Sequence, residues 1–373
     1  MLKRLALIAL FLGSSVPCIA SGAAPASSPA ADAWPLYKQA IARIEEGHRS
    51  NIMSPAESGL VYNDYPPFPP QWHQMEKASY EFNAPAFALA HQARSRNVAH
   101  WPPLHGPDGQ IAMGYLHGSR ELANELADAA LQQHINGDDA AAVESLRDLL
   151  HLADLLDSPD PTSIVQTLVA VGVRMIAMNR LEVITAGIAL SDDPKEAKKL
   201  RVDSAKDLIR RLFDVQDPAP RYAGLLGREM AAGQWTTAER DRFILQLHRA
   251  QMERNLAAMS LACHLFRFDK HRWPATIADV IVRLPAPPRD HWGLMGYALV
   301  QSDLPGQPQR PLVYSHCDSQ DGLFHPTDEP QYSWYPGFGT GSHRKHGGQF
   351  RDVSLWAPAR PNPAPATRPL GQR

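Results

Sequence analysis

The sequence predicts a mainly α protein: an antiparallel helical bundle or helical-hairpin array, followed by a small α+β unit with a short antiparallel sheet. Three observations carry this expectation. Apolar residues recur at helical spacing from about Trp34 to Lys270, turn signals fall where those runs should stop, and from Trp273 onward proline and glycine replace the periodicity.

Before the first helix, Met1-Leu2-Lys3-Arg4 is basic, Leu5 to Leu12 is apolar and Ala20-Ser21-Gly22-Ala23 is a run of small residues. This is the pattern of a secretory signal peptide over residues 1–23. The apolar run is shorter than the roughly 20 residues that cross a bilayer, so removal is expected. Acylation at Cys18 is the competing reading, disfavoured by Pro17 before it and Ser15 three before it. Residues 24–33 are almost entirely Ala, Pro and Ser, a flexible linker.

Leu36, Tyr37, Ile41 and Ile44 make a first helix over 35–47. Pro66 to Pro70, broken only by Phe68, reads as an extended spacer, and a second helix over about 74–97 should be kinked or split at Pro85. A third, over 112–135, stops before Asn136-Gly137, where Gly137 suits a left-handed cap. A fourth spans 139–156. The fifth, about 162–189, capped by Thr162 or Ser163, is apolar on nearly every side and belongs in a core. A surface helix over 193–214, with Asp192 as cap and Pro194 in its first turn, should follow. The last long helix, about 236–270, starts from Thr236-Thr237-Ala238-Glu239, a capping-box signature. Strands are expected at 295–300 and 311–316. The resulting organisation is a helical domain over 34–235, a long helix with the small unit over 236–357, and a disordered, Pro- and Arg-rich tail over 358–373.

Charge narrows the partners. Without Lys3 and Arg4 the chain carries 35 basic against 39 acidic side chains, which argues against a nucleic-acid or anionic-membrane surface. No second apolar segment of membrane-spanning length is evident. Cys263 and Cys317 remain after processing, and an oxidising compartment would permit a disulfide between them. Cys263 lies in a predicted helix, where a buried free thiol is the alternative.

From about 256 to 356 the chain resembles the globular part of type II secretion major pseudopilins. The residues that carry the resemblance are His271-Arg272-Trp273-Pro274 through Asp279-Val280, Arg289-Asp290-His291-Trp292-Gly293, Tyr297, Tyr314-Ser315 through Asp321-Gly322, and Asp352-Val353-Ser354-Leu355-Trp356. The chain as a whole is similar to large exported bacterial proteins of uncharacterised function in which a helical region ends in such a unit. The long apolar N-terminal helix of pseudopilins is missing, and His291 stands in place of a motif proline, so the resemblance implies a fold and not a pilus function. It also implies a calcium site, with Asp318, Asp321 and Asp352 as oxygen ligands. Asp318 and Asp321 could equally shape the turn through backbone hydrogen bonds.

Other constellations are less specific. His316, Cys317, His325, His343 and His346 include zinc-ligand types but match no zinc spacing. His100, His105 and His117, near Asp108 and Glu121, offer imidazoles and carboxylates for acid/base work. Tyr332, Trp334, Tyr335 and Phe338 form an aromatic loop that could present a binding platform or pack onto the sheet. The sequence contains no G-x-S-x-G elbow, P-loop, dinucleotide fingerprint or H-E-x-x-H. The expectation is therefore a non-catalytic exported protein, periplasmic or secreted, that binds an envelope or extracellular component. An extracytoplasmic hydrolase is the alternative, with residues dispersed over loops 51–73, 98–112 and 317–350.

Overall fold

The computed structural model describes residues 32–55, 68–103, 113–157, 163–233, 235–290, 293–301 and 309–315, with short strands at 317–318, 325–326 and 332–334. It is mostly helical, with little sheet.

Helix α1 (Trp34–Arg49) is held at its start by Asp32, whose carboxylate accepts from the backbone N–H groups of Trp34 and His100 at 3.1 and 2.9 Å. Helix α2 (Pro70–Ala93) starts four residues earlier than expected and is not split at Pro85. Pro69 is extended, but Pro70 occupies the first helical turn, where its missing N–H costs nothing, and Pro85 lies inside one continuous helix. Helix α3 (Gly114–Ile135) packs on α1 closely enough that a Cβ on Gly118 would lie 2.3 Å from Ile41 Cγ2. It ends at Gly137, which takes a φ of +78°. Helix α4 (Asp139–Leu156) is capped by Asp138, which accepts from Ala141 N–H.

Helix α5 (Ile164–Gly187) starts at Ser163, whose hydroxyl accepts from Val165 N–H at 3.1 Å. By length and composition its segment Ile164–Thr185 could cross a membrane, which the sequence reading overlooked. In this fold it packs against α3 and α4.

The expected helix over 193–214 is corrected. Strand β1 (Leu190–Ser191) pairs parallel with β2 (Leu200–Arg201), and the helix, α6 (Val202–Leu212), begins only after them. The intervening backbone is captured by side chains: Ser191 Oγ accepts from Asp193 N–H at 3.0 Å, and Asp193 accepts from Lys195 N–H at 2.9 Å. Such local bonds outcompete a helical turn. Helix α7 (Ala219–Ala231) was not anticipated; it buries Tyr222, Leu225 and Leu226.

Helix α8 (Thr237–Lys270) runs for 34 residues from the expected capping box to His271, which is left-handed at φ 54°. Its middle is buried on almost every side, and it packs against α5, α6 and the C-terminal strands. A short α9 (Ile277–Ile281) follows. β3 (Arg289–Asp290) and β4 (Gly293–Leu294) form a two-stranded sheet, and β5 (Gly296–Gln301), β6 (Gln309–Ser315) and β9 (Tyr332–Trp334) form a separate three-stranded sheet with β6 in the middle. β7 (Cys317–Asp318) pairs with β8 (His325–Pro326). These C-terminal pairs run antiparallel, whereas β1 and β2 do not, so pairing across the chain is mixed rather than uniformly antiparallel. One hydrophobic cluster extends from Ala33 to Val313.

Candidate functional site

A set of buried and half-buried ionisable side chains lies where α1, α2 and α3 meet. On α3, Glu121, Glu125 and Asp128 are spaced four and three apart and share a face; on α2, Glu76, Ser79 and Asn83 do the same. Glu125, 1% exposed, is the hub. One carboxylate oxygen accepts from Ser54 N–H at 2.9 Å; the other accepts from Ser79 Oγ and from Asn83 Nδ2 at 3.0 Å.

A chain of acids and imidazoles connects this hub to solvent. His117, with its side chain 69% exposed, places Nε2 2.9 Å from Glu121 Oε1. The same oxygen is 3.5 Å from His48 Nδ1, and His48 Nε2 is 3.7 Å from Glu125. Beyond the hub, Arg180 of α5 donates to Asp128 at 2.6 Å. Glu76 is buried beside these groups, and its Oε2 has no hydrogen-bond partner among the described residues. Burial, with repulsion from Asp128 and Glu125, pushes its carboxyl well above the usual carboxylate range despite the opposing field of Arg180. Burial thus favours the protonated form of Glu76.

An exposed imidazole oriented by a carboxylate, as His117 is by Glu121, is the base-and-orienter element of acid/base catalysis. The buried part of the cluster is arranged differently. Glu125 is occupied by three donors and Asp128 by Arg180, so these carboxylates tie helices together.

Two more polar clusters are enclosed. Asp157, after α4, accepts from Arg174 at 2.7 Å, from Arg221 at 3.2 Å and from the Tyr222 hydroxyl, joining α4, α5 and α7. His134 Nδ1 lies 2.5 Å from Asp139, which also accepts from Ala189 N–H. A Cβ on Gly187 would come within 3.1 Å of His134 Nε2, so this His–Asp pair is closed over by backbone. A separate open depression of about 640 Å³ lies between β1 and the last turns of α8.

Of the imidazoles and carboxylates singled out in the sequence, the structure brings together His117 and Glu121. His100 is engaged elsewhere, 3.3 Å from Asp32, while His105 and Asp108 lie outside the described residues. Cys263 is a free buried thiol in α8, pushed upward in pKa by burial. The backbone register sets Cys317 opposite Pro326 and Asp318 opposite His325; the side chains of Cys317, Asp318, His325, Tyr332 and Trp334 lie outside the described set. So do His316, Asp321, Tyr335, Phe338, His343, His346 and Asp352. Among the described residues no group of three metal-ligating side chains converges.

Sequence reasoning missed His48, Glu76, Glu125, Asp128 and Arg180. A signal was present: charged residues at positions 121, 125 and 128 interrupt a helix whose neighbours Leu122, Leu126 and Ala129 are core. No family model matches the chain, nor does any curated protein or solved structure.

Proposed function

We propose that this chain is an exported, non-catalytic protein whose helical body and small pseudopilin-like C-terminal unit bind another component of the cell envelope or extracellular space. The supporting observation is the engagement of its buried acids: Glu125, Asp128 and Asp157 spend their oxygens on donors from neighbouring helices. A general base needs an oxygen or nitrogen free to reach a substrate proton. The signal-like segment 1–23 supports export, and the near-neutral charge supports a protein or glycan partner over nucleic acid.

A second reading, an extracytoplasmic hydrolase, is favoured by the exposed His117 held at 2.9 Å by Glu121. One experiment separates the two. Purified full-length protein is assayed against chromogenic esters, phosphoesters, glycosides and peptides alongside Glu121→Gln and His117→Ala. The binding reading expects no turnover above background in any of the three proteins. Turnover that disappears in Glu121→Gln overturns it in favour of the hydrolase. Export is read independently from the intact mass of protein recovered from the envelope, where retention of Met1 to Ala23 would contradict it.

A further inference from the structure

Strand β5 (Gly296–Gln301) is an outer strand of the three-stranded sheet, with β6 on one side and no strand on the other among the described residues. Its register on β6 decides which of its backbone groups face outward. The antiparallel pairs run from Gly296 opposite Tyr314 to Gln301 opposite Gln309, and Leu299 stands opposite Pro311. Antiparallel pairs alternate between those that exchange both N–H···O=C bonds and those that exchange none. Pro311 has no N–H to give, so Leu299 and Pro311 form a pair of the second kind.

The rest of the strand follows from that pair. Gly296, Ala298 and Val300 bond to Tyr314, Leu312 and Arg310 of β6, whereas Tyr297, Leu299 and Gln301 turn their N–H and C=O groups to the outer edge. The same alternation turns Val313 and Ser315 of β6 toward β9, where they stand opposite Trp334 and Tyr332. Beyond its ladder β5 makes no backbone hydrogen bond among the described residues. Such an edge is a template for another strand, and folds that keep it unpaired guard it with charge, proline or a bulge. Gly296-Tyr297-Ala298-Leu299-Val300-Gln301 carries neither charge nor proline. Its pairs on β6 run consecutively, without a bulge.

We propose that β5 is the interface between two copies of this chain, joined antiparallel, edge to edge, about a two-fold axis at Leu299. The outward groups are self-complementary in that arrangement. Leu299 faces Leu299 of the second copy, Tyr297 faces Gln301 and Gln301 faces Tyr297, and each pair exchanges both of its bonds. With no charge on the strand, no like charges are set opposite one another. The sheet of each copy becomes half of a longer continuous one, a gain in stability for a sheet whose third strand, β9, spans only Tyr332–Trp334. The inference depends on neither export nor an envelope partner, so it stands or falls apart from the reading above.

The test is sedimentation of the full chain over a range of concentrations, with Leu299→Pro beside it. The parent is expected as a dimer that dissociates on dilution. Leu299→Pro removes the central donor from both copies yet leaves the bonds to β6 in place, because Leu299 makes none of them. Its dimer affinity should fall by about tenfold or more, with the circular dichroism of the parent retained. Amide exchange of the parent, resolved to single residues, tests the edge even where Leu299→Pro fails to fold. Tyr297, Leu299 and Gln301 should exchange slowly at dimer concentrations and faster on dilution, while Ala298 and Val300 stay protected at both. A parent monomeric at every soluble concentration, a folded Leu299→Pro that dimerises as the parent does, or edge amides whose exchange ignores concentration each overturns the proposal.

Discussion

Replacing Glu76 by glutamine is expected to stabilise the protein at alkaline pH and leave it unchanged in acid. The ordinary glutamate value is 4.5, and the folded value is well above it. Below the ordinary value both folded and unfolded chains hold the proton. As pH rises through it, the unfolded chain releases the proton while the folded chain keeps it, so stability falls until the folded value is passed. Glutamine removes that dependence. Melting temperatures at pH 4 and pH 8 check it: the variant should match the parent at pH 4 and exceed it at pH 8, and a constant difference would contradict the assignment. Asp157→Ala acts in the opposite sense. It leaves the buried Arg174 without its nearest partner, and about 3–5 kcal/mol of stability should be lost, measured by urea unfolding. Neither effect is written in local sequence. Asp157 meets Arg174 and Tyr222 across 17 and 65 positions, and Glu125 meets Ser54 across 71. Composition shows that acids are present; which of them face a donor is settled by helix docking.

At the scale of elements, local chemistry was the better guide. Thr236 donates nothing to periodicity, yet its hydroxyl accepts from Glu239 N–H and the Glu239 carboxylate accepts from Thr236 N–H, closing a reciprocal cap on α8. Thr236→Ala should cost about 1 kcal/mol and speed amide exchange in the first turn of α8, while exchange near Met259 follows only the change in global stability. Hydrogen exchange read by mass spectrometry distinguishes this from a uniform loss. The end of α3 and the start of α8 were legible for the same reason: Gly137 and Thr236 act on groups within a few residues of themselves. The misread segment over 193–201 failed because its apolar spacing is compatible with a helix. Ser191 and Asp193 instead captured the backbone, and Ala140 N–H of α4 donates to the Lys198 carbonyl, a contact the segment could not announce.

Across the whole molecule, α8 is the element through which the helical body and the C-terminal strands meet. Asn255 shows how: its amide donates to the carbonyls of Asp214 and Arg289 at 2.6 and 2.9 Å, and its oxygen accepts from Asp214 N–H. Cys263, two turns farther on, reports on that junction. It is fully buried, so in a Cys317→Ser variant its reaction with a thiol reagent should be slower by about a hundredfold or more in buffer than in urea. Fast labelling in buffer would mean that the strands leave α8 easily. Sequence by itself determined that the chain is helical, where most helices begin and end, and that the last third changes character. Those features arise from periodic apolar surface and from caps acting over a few residues. Tertiary structure alone decided that Glu125 is a saturated hub, that burial raises the pKa of Glu76, that β1 and β2 pair, and that His264 and Arg267 line a depression with Ile188 and Leu190. Each of these depends on residues brought together from separate elements, and burial and pairing exist only once those elements have packed.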